Sequence, residues 1–144
     1  MSWIEPVFDR TEQDVEYAKQ QIALGINDVE YKGCLNVTDL NRIENNTQYL
    51  SEVLTSLLYP SEVVTKSWTM DSIPNDNDIK RILDNISKVM VSFRTPTDIE
   101  IMPETIRTYE DINAIEKNLY LIKVMVDDMI SSFAECGDSE CGEE

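Results

Sequence analysis

The chain has 144 residues, with 28 acids against 12 bases, a net charge of −16 and no histidine. A phosphate backbone repels such a chain, which argues against direct nucleic-acid binding; the missing imidazole excludes histidine-based acid–base catalysis, His-containing triads and most zinc sites. With 42% apolar residues and four glycines, the composition suits one domain with a packed core, not a turn-rich β-sandwich.

In chain order, the opening Met1-Ser2-Trp3-Ile4-Glu5-Pro6 has neither a basic nor an apolar region of the kind a secretory signal needs, so none is expected. Thr11-Glu12-Gln13-Asp14-Val15 then begins a pattern that returns as Asn36-Val37-Thr38-Asp39-Leu40, Asn75-Asp76-Asn77-Asp78-Ile79 and Thr108-Tyr109-Glu110-Asp111-Ile112. Each copy places Thr or Asn three residues before Asp, with an apolar residue next. That spacing predicts a helix start. Thr11, Asn36, Asn75 and Thr108 are the N-caps, whose side chains accept from a first-turn amide. Asp14, Asp39, Asp78 and Asp111 reach back to the cap's own amide and meet the positive end of the helix dipole.

Behind each start, apolar residues recur at steps of three and four. The last copy reads Ile112, Ile115, Leu119, Ile122, Val126, Met129, Phe133; the second has one polar lapse at Thr47; the first ends at Gly25, a natural stop. Helices are predicted at about 12–24, 37–58, 76–93 and 109–134, packed nearly antiparallel. The fold class is all-α: a bundle of about four helices with long connections, over residues 1–134. Residues 135–144 read as a disordered acidic tail, since no base follows Asp127.

Pro60, Pro74, Pro96 and Pro103 punctuate connections that are long for a minimal bundle. Trp3 and Trp68 each lie seven or eight residues upstream of a cap. They either close the bundle from outside or serve as anchors for a partner. Asn46, Asn85 and Asn118 each stand seven residues after the repeat's Asp, where an amide can hydrogen-bond a neighbouring loop backbone and fix register. Cys34, Cys136 and Cys141 cannot all pair and read as free thiols.

No chemistry-bearing motif emerges. There is no Gly-rich phosphate loop, Asp127-Asp128 reads as a solvated face, and the segment Asp76–Asp78 lacks the central Gly and terminal Glu of a calcium loop. No cofactor or metal and no enzymatic activity is expected. The longest apolar stretch, Leu119-Tyr120-Leu121-Ile122, is cut by Lys123, far short of the ~20 residues a membrane span requires.

Two stretches carry a resemblance. Trp3-Ile4-x-Pro6-x-x-Asp9-Arg10-Thr11-x-x-Asp14-Val15-x-x-Ala18, and Gly33-x-Leu35-Asn36-x-x-Asp39-Leu40-Asn41-Arg42-Ile43-Glu44-Asn45-Asn46 with Tyr49-Leu50, resemble the opening of Firmicutes phage and prophage tail proteins, baseplate or tail-fibre-associated. The likeness covers about the first 50 residues. It implies a virion structural protein assembled in the host cytoplasm, a helical adaptor or assembly module that contacts other phage structural proteins, as a homo-oligomer or in several copies. The alternative expectation is a small acidic DNA-mimic inhibitor of a host DNA-binding enzyme, because a surface carrying −16 suits a basic groove.

Overall fold

The computed structural model describes residues 2–92 and 94–138, with the backbone alone for residues 133–138. It is all-α among the described residues: α1 (Glu12–Ala23), α2 (Val37–Ser56), α3 (Asp76–Ser92) and α4 (Tyr109–Asp138). Each helix begins where the repeat puts it. The amides of Thr11, Asn36, Asn75 and Thr108 donate to the carboxylates of Asp14, Asp39, Asp78 and Asp111 at 2.9, 2.9, 3.0 and 3.1 Å. Asp14 and Asp78 donate their own amides back to Thr11 Oγ1 and Asn75 Oδ1, which completes two capping boxes.

α1 stops at Gly25, whose φ is 83°. Gly25 N donates to Ile22 O and Ile26 N to Gln21 O, the paired bonds of a Schellman motif. α2 ends in the same way: Leu58 N donates to Thr55 O and Tyr59 N to Leu54 O. Here the left-handed position is held by Leu58, at φ 72°, with its side chain 86% exposed.

α4 is longer than expected. It runs through residues 135–138, so the first part of the assigned tail is helix. Once a helix is running, each further residue adds a backbone hydrogen bond, and neither Ala134 nor Glu135 breaks it. Residues 139–144, including Cys141, lie outside the described residues, as does Phe93.

The core belongs to three helices. Leu40, Ile43, Leu50 and Leu54 of α2, Ile79, Ile82, Ile86 and Val89 of α3, and Ile115, Leu119, Ile122 and Val126 of α4 form one buried cluster with Trp68. Thr47, the polar lapse in the α2 seam, is buried and donates to Ile43 O at 2.7 Å. From α1 only Ala18 is buried.

The expectation of antiparallel neighbours is overturned. Extended segments, here called straps, run back along the helices. In the strap 61–68, Ser61 O accepts from Ser51 Oγ, Lys66 N donates to Glu44, and Trp68 N donates to Asn41. Strap numbers rise while α2 numbers fall. On α3, Val64 O accepts from Asn85 and Lys66 Nζ lies 4.0 Å from Asp78, so the strap opposes that helix too. The strap 2–10 opposes α2 through Asn46–Ile4 and Asp39–Arg10, and α4 through Glu116–Val7 and Asn113–Arg10. Helices that share an antiparallel strap are parallel to each other. α2, α3 and α4 therefore all point one way.

Parallel packing also accounts for the long connections. A 20-residue helix is about 30 Å long, and an extended chain covers at most ~3.6 Å per residue, so each return needs nine residues or more.

Candidate functional site

The straps are held by amides at the repeat's fixed positions. Asn46 accepts from Ile4 N at 3.0 Å and donates to Ile4 O at 2.7 Å. Asn118 does the same with Glu100, at 2.7 and 2.9 Å, and Asn85 donates to Val64 O at 2.7 Å. This is the loop-fixing role the spacing predicts. A second set was missed. Asn41 and Asn113, two residues after their capping aspartates, bracket Trp68 and Arg10: each accepts from the strap N–H and donates to the strap C=O.

Charged pairs follow the same order. Glu44 and Glu116 stand five residues after Asp39 and Asp111, and Arg42 and Arg81 three after Asp39 and Asp78. Glu44 of α2 takes two bonds from Arg81 of α3, at 2.6 and 2.9 Å. Glu116 of α4 takes two from Arg42 of α2, at 2.6 and 2.8 Å. The third corner, from α3 to α4, carries Leu83 and Ala114 at those positions. There both members of the ion pair are replaced by apolar residues, Leu83 buried and Ala114 part-buried, so neither charge is left alone.

Burial pushes these guanidiniums towards neutrality, but the Glu116 hydrogen bond holds Arg42 protonated above the ordinary arginine range, and the Glu44 bond does the same for Arg81. Arg10, 3% exposed, joins the Glu116 corner through Nη2, which bonds Glu116 at 2.8 Å and Asp39 at 3.0 Å. Two cations thus meet two anions in this cluster. Among the described buried side-chain atoms, only Arg10 Nε lacks a partner.

The three-part order exposes an extra piece. A strap precedes α3 and lies between α2 and α3. The strap preceding α1 lies between α4 and α2, the place the order gives to a strap preceding α2. Residues 11–35 are therefore an insert between strap and helix. Its two ends meet, since Arg10 touches Asp39 and Lys32 Nζ lies 2.9 Å from Asp9.

The insert is a compact hairpin. Tyr31 Oη donates to Ile26 O at 2.7 Å, and the Tyr17 and Tyr31 rings meet edge-on at 5.9 Å. At Gly33 a Cβ would fall 2.4 Å from Asp14 O, so only glycine allows the loop to lie on α1. Glu30 accepts from Thr38 N and Oγ1 and ties the hairpin to the first turn of α2. A cleft of about 610 Å³ lies between α1 and the start of α4, lined in part by Val15, Leu35, Ile106 and Ile112.

Trp68 is not exposed as a surface anchor. Trp68 is 4% exposed, sits in the core cluster and donates Nε1 to Glu44, because a strap tucked between two helices buries whatever faces them. Trp3 is half-buried against the same core, its ring 5.8 Å from Tyr49 and 5.5 Å from Lys123 Nζ. Nor do they repeat: Trp3 lies beside the Asn46 end of its strap, whereas Trp68 lies at the Asn41 end of another.

Cys34 is a free thiol. Asp127 accepts from Lys123 Nζ at 2.5 Å on an exposed face of α4. Comparison with protein-family models, with curated proteins and with solved structures finds no match.

Proposed function

We propose that this chain is a virion structural protein: a helical adaptor or assembly module of a phage or phage-like tail or baseplate, acting through contacts with other structural proteins. The observation that carries the reading is where its buried charge points. Arg10, Arg42, Asp39 and Glu116 face one another across three chain segments, and Arg81 faces Glu44 across two. Arg10, Asp39 and Arg42 also line a hollow of about 480 Å³, where unpaired charges would suggest catalysis or ligand binding, but their charged ends are taken up by one another and by Glu116. Paired in this way, they fix the relative positions of straps and helices, and a module that must present one shape to an assembly needs that stiffness. The likeness of the first 50 residues to tail proteins supports the same reading, as does the insert that stands outside the core.

Electron microscopy of particles from a gene deletion tests it. Incomplete or non-infectious particles are expected; complete, infectious ones would remove the proposal.

The DNA-mimic reading predicts competition with duplex DNA that fades with salt. It is less favoured because many acids are already engaged within the fold: four at helix caps, and Glu44 and Glu116 in buried pairs. Among the described residues, no helix is long and apolar enough to cross a membrane.

A further inference from the structure

We infer that the insert, residues 11–35, is the docking element of this molecule, and that it fits a protein surface with an apolar hollow bordered by lysine or arginine. The inference rests on the adaptor reading and names the surface and its partner's chemistry.

The bundle does not need the insert to connect its chain. Between Trp68 and the N-cap Asn75, residues 69–74 make the same strap-to-helix passage that residues 11–35 make between Arg10 and Asn36. The additional residues bury little of themselves in the common core, where α1 places no side chain. They instead expose Tyr17, Ile22, Leu24, Ile26 and Val29, with Leu24 at 72%. Three of these surround the Gly25 turn, which two backbone bonds hold in one geometry. A fixed apolar tip loses little freedom on binding, and low ordering cost favours recognition.

Charge selects the occupant. The hairpin carries Glu12, Asp14, Glu16, Asp28 and Glu30 against Lys19 and Lys32, five acids to two bases. Lys32 is held by Asp9, and Lys19 lies 3.8 Å from Glu16. A second copy would bring −16 towards −16 with acids around both tips. A partner with a basic rim turns that repulsion into attraction.

The test uses particles purified from the deletion strain and the full chain added back. The wild-type chain should co-sediment with them, less so as salt rises. The Leu24→Asp/Ile26→Asp double variant, altered only at exposed positions, should dock more weakly by roughly a thousandfold while keeping its helical circular dichroism and cooperative melt. A second variant, Glu16→Lys/Asp28→Lys, should also dock more weakly with the tip intact. A third, with residues 11–35 replaced by the sequence of 69–74, should still fold and should not dock. Equal docking by wild type and tip variant overturns the inference and leaves the adaptor reading standing. A wild-type chain that never docks, on particles already complete, removes both. A dimer in light scattering that the tip variant abolishes would assign the tip to a second copy and overturn the basic partner. Unfolding of the loop-replaced chain would show that the hairpin is part of the bundle.

Discussion

Glu44 on α2 and Glu116 on α4 occupy equivalent places and each receive four bonds of the same three kinds. Each takes one from a strap N–H, that of Lys66 or Val7, and one from a strap side chain, Trp68 Nε1 or Arg10 Nη2. Each also takes two from the arginine of the next helix. One carboxylate therefore joins two helices and the segment between them.

Removing Glu116 leaves Arg10 and Arg42 buried with Asp39 alone. Glu116→Ala should cost about 3–5 kcal/mol, the range for a broken buried pair. Glu44→Ala should cost less, because Arg81 is 23% exposed and Trp68 carries no charge. Urea denaturation of the two variants gives the order.

The apolar third corner predicts a rescue. Glu44→Leu alone strands Arg81, whereas adding Arg81→Ala reproduces the Leu83 and Ala114 arrangement. The double variant should be more stable than the sum of the single costs allows, with a coupling of about 1 kcal/mol or more. A double-mutant cycle by thermal or urea unfolding reads it directly.

The strap amides should rank by the bonds they make. Asn46→Ala and Asn118→Ala each free a strap N–H and C=O, while Asn85→Ala removes one of two bonds to Val64 O, which Arg81 Nη1 still holds. Losses of about 2–3 kcal/mol are expected for the first two and about 1 kcal/mol for the third. Equal losses would contradict the hydrogen-bond pattern.

Leu58 is a leucine in a glycine conformation. A left-handed backbone costs a Cβ-bearing residue about 1–2 kcal/mol, part of which glycine returns through its freer unfolded chain. Leu58→Gly should raise stability by about 0.5–1 kcal/mol, seen as a higher melting temperature.

Gly33→Ala should act locally. Its Cβ cannot fit above Asp14 and Val15, so the hairpin must loosen while the core keeps its packing. Hydrogen exchange should show lost protection over 12–23 and retained protection in the buried turns of α2, α3 and α4. Loss throughout would mean that the hairpin is integral to the bundle.

Much of this was legible in the sequence because it is local. A cap and its aspartate are three residues apart, and the seam of Ile112, Ile115 and Leu119 needs only the helical period. Asn46, Asn85 and Asn118 could be read as loop-holders because an amide at a fixed step beside the seam has few other uses. Helix direction was not legible: the same apolar period serves parallel and antiparallel neighbours, and only long connections distinguish them. Arg42 and Arg81, at one step from their caps, and Glu44 and Glu116, at another, were visible signals of the corners. They were missed because α3 and α4 each lack one partner. The insert was hidden by its own cap at Thr11, which made it look like one more repeat.

The strap 2–10 binds partners made long after it. Val7 lies 109 positions from Glu116, and Arg10 lies 103 from Asn113. As the polypeptide leaves the ribosome, this strap can meet Asp39 and Asn46 of α2 early, but Glu116 and Asn113 only once α4 has followed. Contacts so distant in sequence slow folding, because chain closure must precede any reward. Until α4 arrives, Arg10 lacks Glu116 and Asn113 and Val7 N–H lacks its acceptor, so the strap stays incompletely covered and open to association with other chains.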